Sequence, residues 1–271
     1  MIEDVNGCEN DVELKALADR YLTSLIIPFR VVGGRTPAVS DHPSAIVEET
    51  EQLIQEHLQS AHQEQGTLRK LVLRRDDYRC AVTKVHDLKS AFASNKSISF
   101  VVQPTRAAHI VPFHFAPSSE EAAQVISRFG GDLFVDDING ADINRLENVI
   151  TLTSDLHSYF ENLYIWLEPV QDSINTYHFG CVPKIAATLA KESLNSGDLI
   201  TLTSTDTRLH LPDSRLLGLH AACAKVTHAS GAAEVIDQIL WDLEEARVLS
   251  EDGSSSDVLS VAFYLASIPA Y

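Results

Sequence analysis

Basic side chains are in short supply: 271 residues carry 21 Lys and Arg against 38 Asp and Glu, a formal charge of −17 at pH 7. Taken whole, that balance speaks against a nucleic-acid partner, because like charge repels a phosphate backbone. Long apolar runs are missing too. No window reaches the roughly 18–20 unbroken apolar residues that a membrane helix needs, so no membrane partner is expected. The opening Met1-Ile-Glu-Asp-Val-Asn-Gly-Cys8 has neither a basic n-region nor an apolar h-region, and the chain reads as intracellular, in cytoplasm or nucleus. Cysteine is sparse: Cys8, Cys80, Cys181 and Cys223 stand apart without a CxxC pair, against both a zinc ribbon and a disulfide scaffold. What is plentiful is ordinary. Hydrophobic residues make up 45% and charged residues 22%, the composition of a globular chain long enough for a real core.

Periodicity organises that chain. Leu14, Leu17, Ala18, Tyr21, Leu22 and Leu25 follow helical spacing and predict a helix over 10–26 that Pro28 stops. A Gly- and Pro-bearing loop over 31–37 precedes a second amphipathic run, Ser44 to Gln65. Strand-like segments follow at Ile98–Gln103, Ala107–Val111, Asn148–Thr153 and Tyr164–Pro169. Residues 116–147 read as an insertion with a helix over 119–129, and Ser154 as the cap of a short helix reaching about Tyr159. The segment 186–270 reads mostly as helix, with long stretches at Asp213–Ala229 and Gly231–Leu249 and a last apolar run at Val258–Ile268. The expected organisation is an N-terminal helical segment, 1–68, packed on a core, 69–170, and a mostly helical C-terminal region, 171–271.

Charge is unevenly spread. Between Arg69 and Arg106 lie nine basic residues and three acidic ones, a local +6 that leaves −23 for the rest. Segregation says more than the total, and Arg74, Arg75, Arg79 and Arg106 are the candidates for holding a phosphate.

Against that segment stand His109, Asn148 and His157, in the order strand, strand, helix. A strand His can deprotonate a water that attacks phosphorus. A helical His can hold a divalent ion that neutralises the phosphate and the leaving oxygen. Asn148 is placed to tie down the loop between them. Glu161 follows His157 by four residues, on the same helical face, and adds an oxygen donor. Cys80, Phe160 and Trp166 read as core residues.

Tyr78-Arg-Cys-Ala-Val-Thr83, Ala107-Ala-His-Ile-Val-Pro112 and Asn148-Val-Ile-Thr-Leu-Thr-Ser-Asp-Leu-His157 resemble the HNH endonuclease family. Trp166-Leu-Glu-Pro169, Leu211–Cys223 and Ser230–Ala233 are similar to segments of its filamentous-fungal members, and the resemblance spans about residues 70–250. It implies an α+β protein with a small ββα-metal (HNH-like) core flanked by N- and C-terminal helices. It implies His109 as general base, Asn148 as loop-orienting residue and His157, with Glu161, as ligands of Mg, Mn or Zn. Many members place Asp or His just before the base; this chain has Ala108, so an ion-free site is the alternative. His114 or Asp132 would complete a ligand set. Lys84 stands where Gly usually follows Cys-x-x-Thr.

Three functions follow. The first is a metal-dependent endonuclease acting on nucleic acid. The second is an HNH scaffold turned to a cyclase, isomerase or condensing step on a small molecule in secondary metabolism. The third is a non-catalytic protein that keeps the fold.

Overall fold

A computed structural model describes residues 6–32, 65–94, 98–112 and 143–245. Asn10 starts helix α1 (Asp11–Tyr21) by accepting from the Glu13 amide at 3.0 Å. The helix does not end at Pro28. A π-helical turn, Leu22–Ile26, carries it into α2 (Ile27–Val32). The π turn resets the hydrogen-bond register, so Pro28 falls in the first turn of a fresh α segment, where a missing N–H matters least. Tyr21, Leu25 and Phe29 turn one side of this stretch into the core.

The expected helix at Ser44–Gln65 lies outside the described residues except for Gln65. There α3 (Gln65–Arg75) begins, burying Leu68, Leu71 and Val72. A tight loop then leads to β1 (His86–Asp87) and α4 (Leu88–Ala93), which Asp87 caps by accepting from the Ser90 amide at 2.9 Å. Of the strand expected over 98–103, β2 (Val102–Gln103) alone forms, paired in parallel with β1; Phe100 and Val101 before it are exposed.

The centre is a hairpin. β3 (Thr105–His109) runs antiparallel to β4 (Val149–Thr153), with Thr105 opposite Thr153 and His109 opposite Val149. Asn148 closes the 3-10 turn that leads into β4 rather than beginning the strand. Helix α5 (Ser154–Glu161) follows at once and packs back over both strands. Its N-cap is Thr153, not Ser154, whose own amide donates to Pro104 O at 3.0 Å. Alternation decides what each face of the hairpin meets. Ala108, Ile150 and Leu152 join Leu156 and Phe160 of α5 in the main apolar cluster, while Ala107 and Val149 pack with Leu68, Leu71 and Val72 of α3. The insertion expected over 116–147, with its helix, lies outside the described residues up to 142.

Among the described residues, the stretch 171–245 carries strands as well as helices. β5 (Ile165–Pro169), β6 (Thr176–Cys181) and β7 (Leu199–Thr201) form a three-stranded antiparallel sheet in that order, with α6 (Pro183–Ala190) between β6 and β7. In β6, Tyr177, Phe179 and Cys181 point inward and His178 outward, a period of two that marks a half-buried strand. Trp166 lies so close over Gly180 that a Cβ there would sit 2.2 Å from its ring. Helix α7 (Ser214–Ala229), capped by Asp213, packs on β5, and Gly231, with φ +75°, turns the chain into α8 (Ala232–Glu245). Arg30 binds the N-terminal helices to this region: it donates to Asn162 O, Tyr164 Oη and Asp237. The expected last apolar run, Val258–Ile268, lies outside the described residues. The α+β expectation holds, and no described helix is long and apolar enough to cross a membrane.

Candidate active site

The Cys80 loop is held by its own backbone. The Cys80 amide donates to Val85 O and the Lys84 amide to Cys80 O, while the Ala81 amide reaches across to Thr151 O on β4. Lys84 sits at φ +60°, in the left-handed region that favours glycine, which is the physical reason for a glycine at such a position. Its Nζ donates to Ala81 O at 2.8 Å and to Thr201 O at 3.3 Å, so the lysine links the loop to β7. Burial pushes its pKa down, against the pull of Asp76.

His109 ends β3 and is buried. Its Nε2 lies 3.0 Å from Oδ1 of Asn144, also buried. Asn148 is fully buried at the other side of the same turn. Its Oδ1 accepts from the Val111 amide at 2.9 Å, and its Nδ2 donates to Val111 O at 3.0 Å and Ile143 O at 2.9 Å. One amide side chain therefore holds the chain two residues after His109 and one residue before Asn144. Asn144 was absent from the sequence reading. The available signal was its spacing, four residues ahead of Asn148 in the turn that feeds β4.

His157 sits in the second turn of α5, and its Nδ1 lies 3.1 Å from Glu161 Oε2, each side chain 8% exposed. A carboxylate only accepts, so Nδ1 of the neutral ring carries the hydrogen and Nε2 keeps the lone pair. In that arrangement Glu161 orients the imidazole through Oε2. Ala108, on the helix-facing side of β3, brings a methyl. Among the described residues no group of three or more His, Cys, Asp or Glu side chains could hold a metal ion, and His114 and Asp132 lie outside them. An imidazole nitrogen with one carboxylate beside it leaves most of an ion's coordination positions to water and substrate.

The four arginines separate sharply. Arg75 does not fit the expected phosphate-binding role. It is fully buried, and all five guanidinium N–H groups are used: Nε and one Nη bond Asp76, and the remaining bonds go to Leu146 O, His210 O and Val149 O, at 2.7–3.2 Å. Asp76 completes the clamp by accepting from the Thr151 amide at 3.1 Å. Arg74 pairs with Asp206 at 3.1 Å and Arg79 with Asp77 at 3.0 Å, both with part of the side chain exposed. Arg106 is exposed on β3. Arg69, in the same basic stretch, turns in to Thr105 O at 2.9 Å.

A cavity of about 140 Å³ lies between the Cys80 loop and the segment after β7, lined by Asp76, Arg79, Lys84, Thr203 and Thr205 among others. Charged and apolar side chains share its lining, which does not include His109. Deeper in, His220 of α7 stacks on Phe160 with ring centroids 3.7 Å apart, and its Nε2 donates to Phe160 O at 3.0 Å. Burial drives its pKa down to about 4, the carbonyl contact pulling weakly the other way.

Residues 80–168, which span the Cys80 loop, the hairpin, α5 and most of β5, match the family model of the HNH endonucleases. Residues 1–79 and 169–271 lie outside that match. No curated protein and no solved structure matches the chain.

Proposed function

We propose that the chain is an HNH-type phosphodiesterase acting on nucleic acid, with His109 as its general base. The observation that carries the reading is the arrangement β3–β4–α5 within the HNH-like segment, with His109 at the end of one strand, Asn148 in the turn that leads into the next and His157 on the helix. His109 takes a proton from water as the water oxygen bonds to phosphorus; the phosphorus–oxygen bond to the leaving sugar breaks, and solvent protonates that oxygen. His157 Nε2 would hold a divalent ion, which supplies charge neutralisation at the phosphate. Asn148 fixes the loop. Arg106 on β3, with Arg74 and Arg79, supplies positive charge for the backbone, and Arg75 supports the hairpin instead. The ββα-metal description and the kinship with the filamentous-fungal group belong to this proposal, the latter resting on Trp166-Leu-Glu-Pro169 and the Leu211–Cys223 segment.

Incubation with plasmid and Mg²⁺, Mn²⁺ or Zn²⁺ tests the reading. Nicking is expected with at least one ion, and His109→Ala is expected to lower it by about 10²–10⁴-fold. Cleavage that survives the substitution overturns it.

A second reading, the scaffold turned to a cyclase, isomerase or condensing step on a small molecule, is favoured by one observation. The position before His109 is an alanine packed into the apolar cluster under α5, where a ligand would bring a donor. Metal analysis of protein prepared under metal-replete conditions separates the two: an ion at His157 supports hydrolysis, and its absence supports the second.

A further inference from the structure

The tautomer of His109 is set by a residue that the hydrolytic mechanism does not use. Nε2 of His109 lies 3.0 Å from Oδ1 of Asn144, and both side chains are buried. An amide oxygen has no hydrogen to give, so it accepts, and Nε2 must carry the hydrogen. A neutral imidazole has one N–H, so the lone pair is then on Nδ1.

The placement of Asn144 is itself determined. Asn148 Nδ2 donates to the carbonyl of Ile143, the residue immediately before Asn144, and the other Asn148 bonds close on Val111, two residues beyond His109. Both members of the His109–Asn144 pair are thus hung from one buried amide. Its three bonds are made entirely to backbone, and backbone does not titrate. We propose that Asn144 is a positioning residue that locks His109 in the Nε2–H tautomer, making Nδ1 the nitrogen that takes the proton, and that Asn148 acts on the reaction through this pair as well as through the loop.

The proposal rests on the hydrolytic reading for its consequence in rate, but not for its consequence in structure, and the experiment keeps the two apart. Long-range ¹H–¹⁵N correlation of the full-length labelled protein, above the titration of His109, reads the tautomer; the signals are assigned by their disappearance in His109→Ala. Wild type is expected to show the Nε2–H pattern. Asn144→Leu, which offers no acceptor, is expected to show averaged ring nitrogens and to lose plasmid cleavage by about 10²-fold. Asn144→Asp keeps an acceptor oxygen and is expected to retain the wild-type pattern. Circular dichroism on each variant confirms that it is folded. An Nδ1–H pattern in wild type, or an Asn144→Leu spectrum identical to wild type, overturns the proposal. A wild type with the expected tautomer but no cleavage under any ion removes the hydrolytic reading and leaves the tautomer assignment standing.

Discussion

The two flanks of the β3–β4 hairpin are made of opposite materials. On the α3 side an arginine and an aspartate are buried among carbonyls drawn from two distant segments, and the whole guanidinium is spent on the aspartate and those carbonyls. On the α5 side the strands meet Leu156 and Phe160, and the polar pair His157–Glu161 is nearly covered. Both flanks hold ionisable groups away from water, by different means. Arg75 is buried with every donor matched, whereas burial disfavours the proton of His220, behind Phe160. The charge in the basic segment is therefore not one patch. Part of it is structure, and part of it faces solvent.

The largest test of this contrast is Arg75→Met. Removing the guanidinium strands Asp76 and three carbonyls, and a loss of about 3–5 kcal/mol in urea denaturation is expected. Partial recovery in the double variant Arg75→Met, Asp76→Leu would follow from removing the stranded carboxylate. A loss near zero would break the comparison. Next comes the α5 flank in acid. The unfolded His220 takes its proton near pH 6.5 and the folded one near 4, so its contribution is intact above about 6.5 and is lost as pH falls toward 4. His220→Phe is expected to remove about 3 kcal/mol of that acid sensitivity, read as the difference between the two stability–pH curves. The smallest effect belongs to Arg106→Ala. Its stability is expected to change by no more than about 0.5 kcal/mol, while retention on a polyphosphate column weakens and its salt dependence flattens. Equal losses in Arg75→Met and Arg106→Ala would show that the two arginines do the same work.

What the sequence revealed of this arrangement depended on how local the determinants are. The two strands and α5 were readable because each signal is local, and β4 runs directly into α5. His109, Asn148 and His157 stood out because polar residues at those points of such a pattern ask for a reason. Arg75 misled because Arg74-Arg75-Asp76-Asp77 looks like solvated surface; its acceptors at 146, 149 and 210 are neighbours in space alone. Pro28 misled because a π turn is not written in composition. β6 was passed over although Tyr177, Phe179 and Cys181 alternate correctly, since the segment that follows it is helical. Asn144 shows the same limit from the other side: its bond to His109 spans 35 residues.

Asn148 makes a single port through which the chain leaves the hairpin at Val111 and returns at Ile143. Because both sides of that port close on one side chain, the register of β3 on β4 does not depend on how long the excursion between them is. Loop closure has been settled at its base, where the entropic term for added residues grows only logarithmically. The geometry of His109 is thus held at this port, by one amide side chain bonded on both sides.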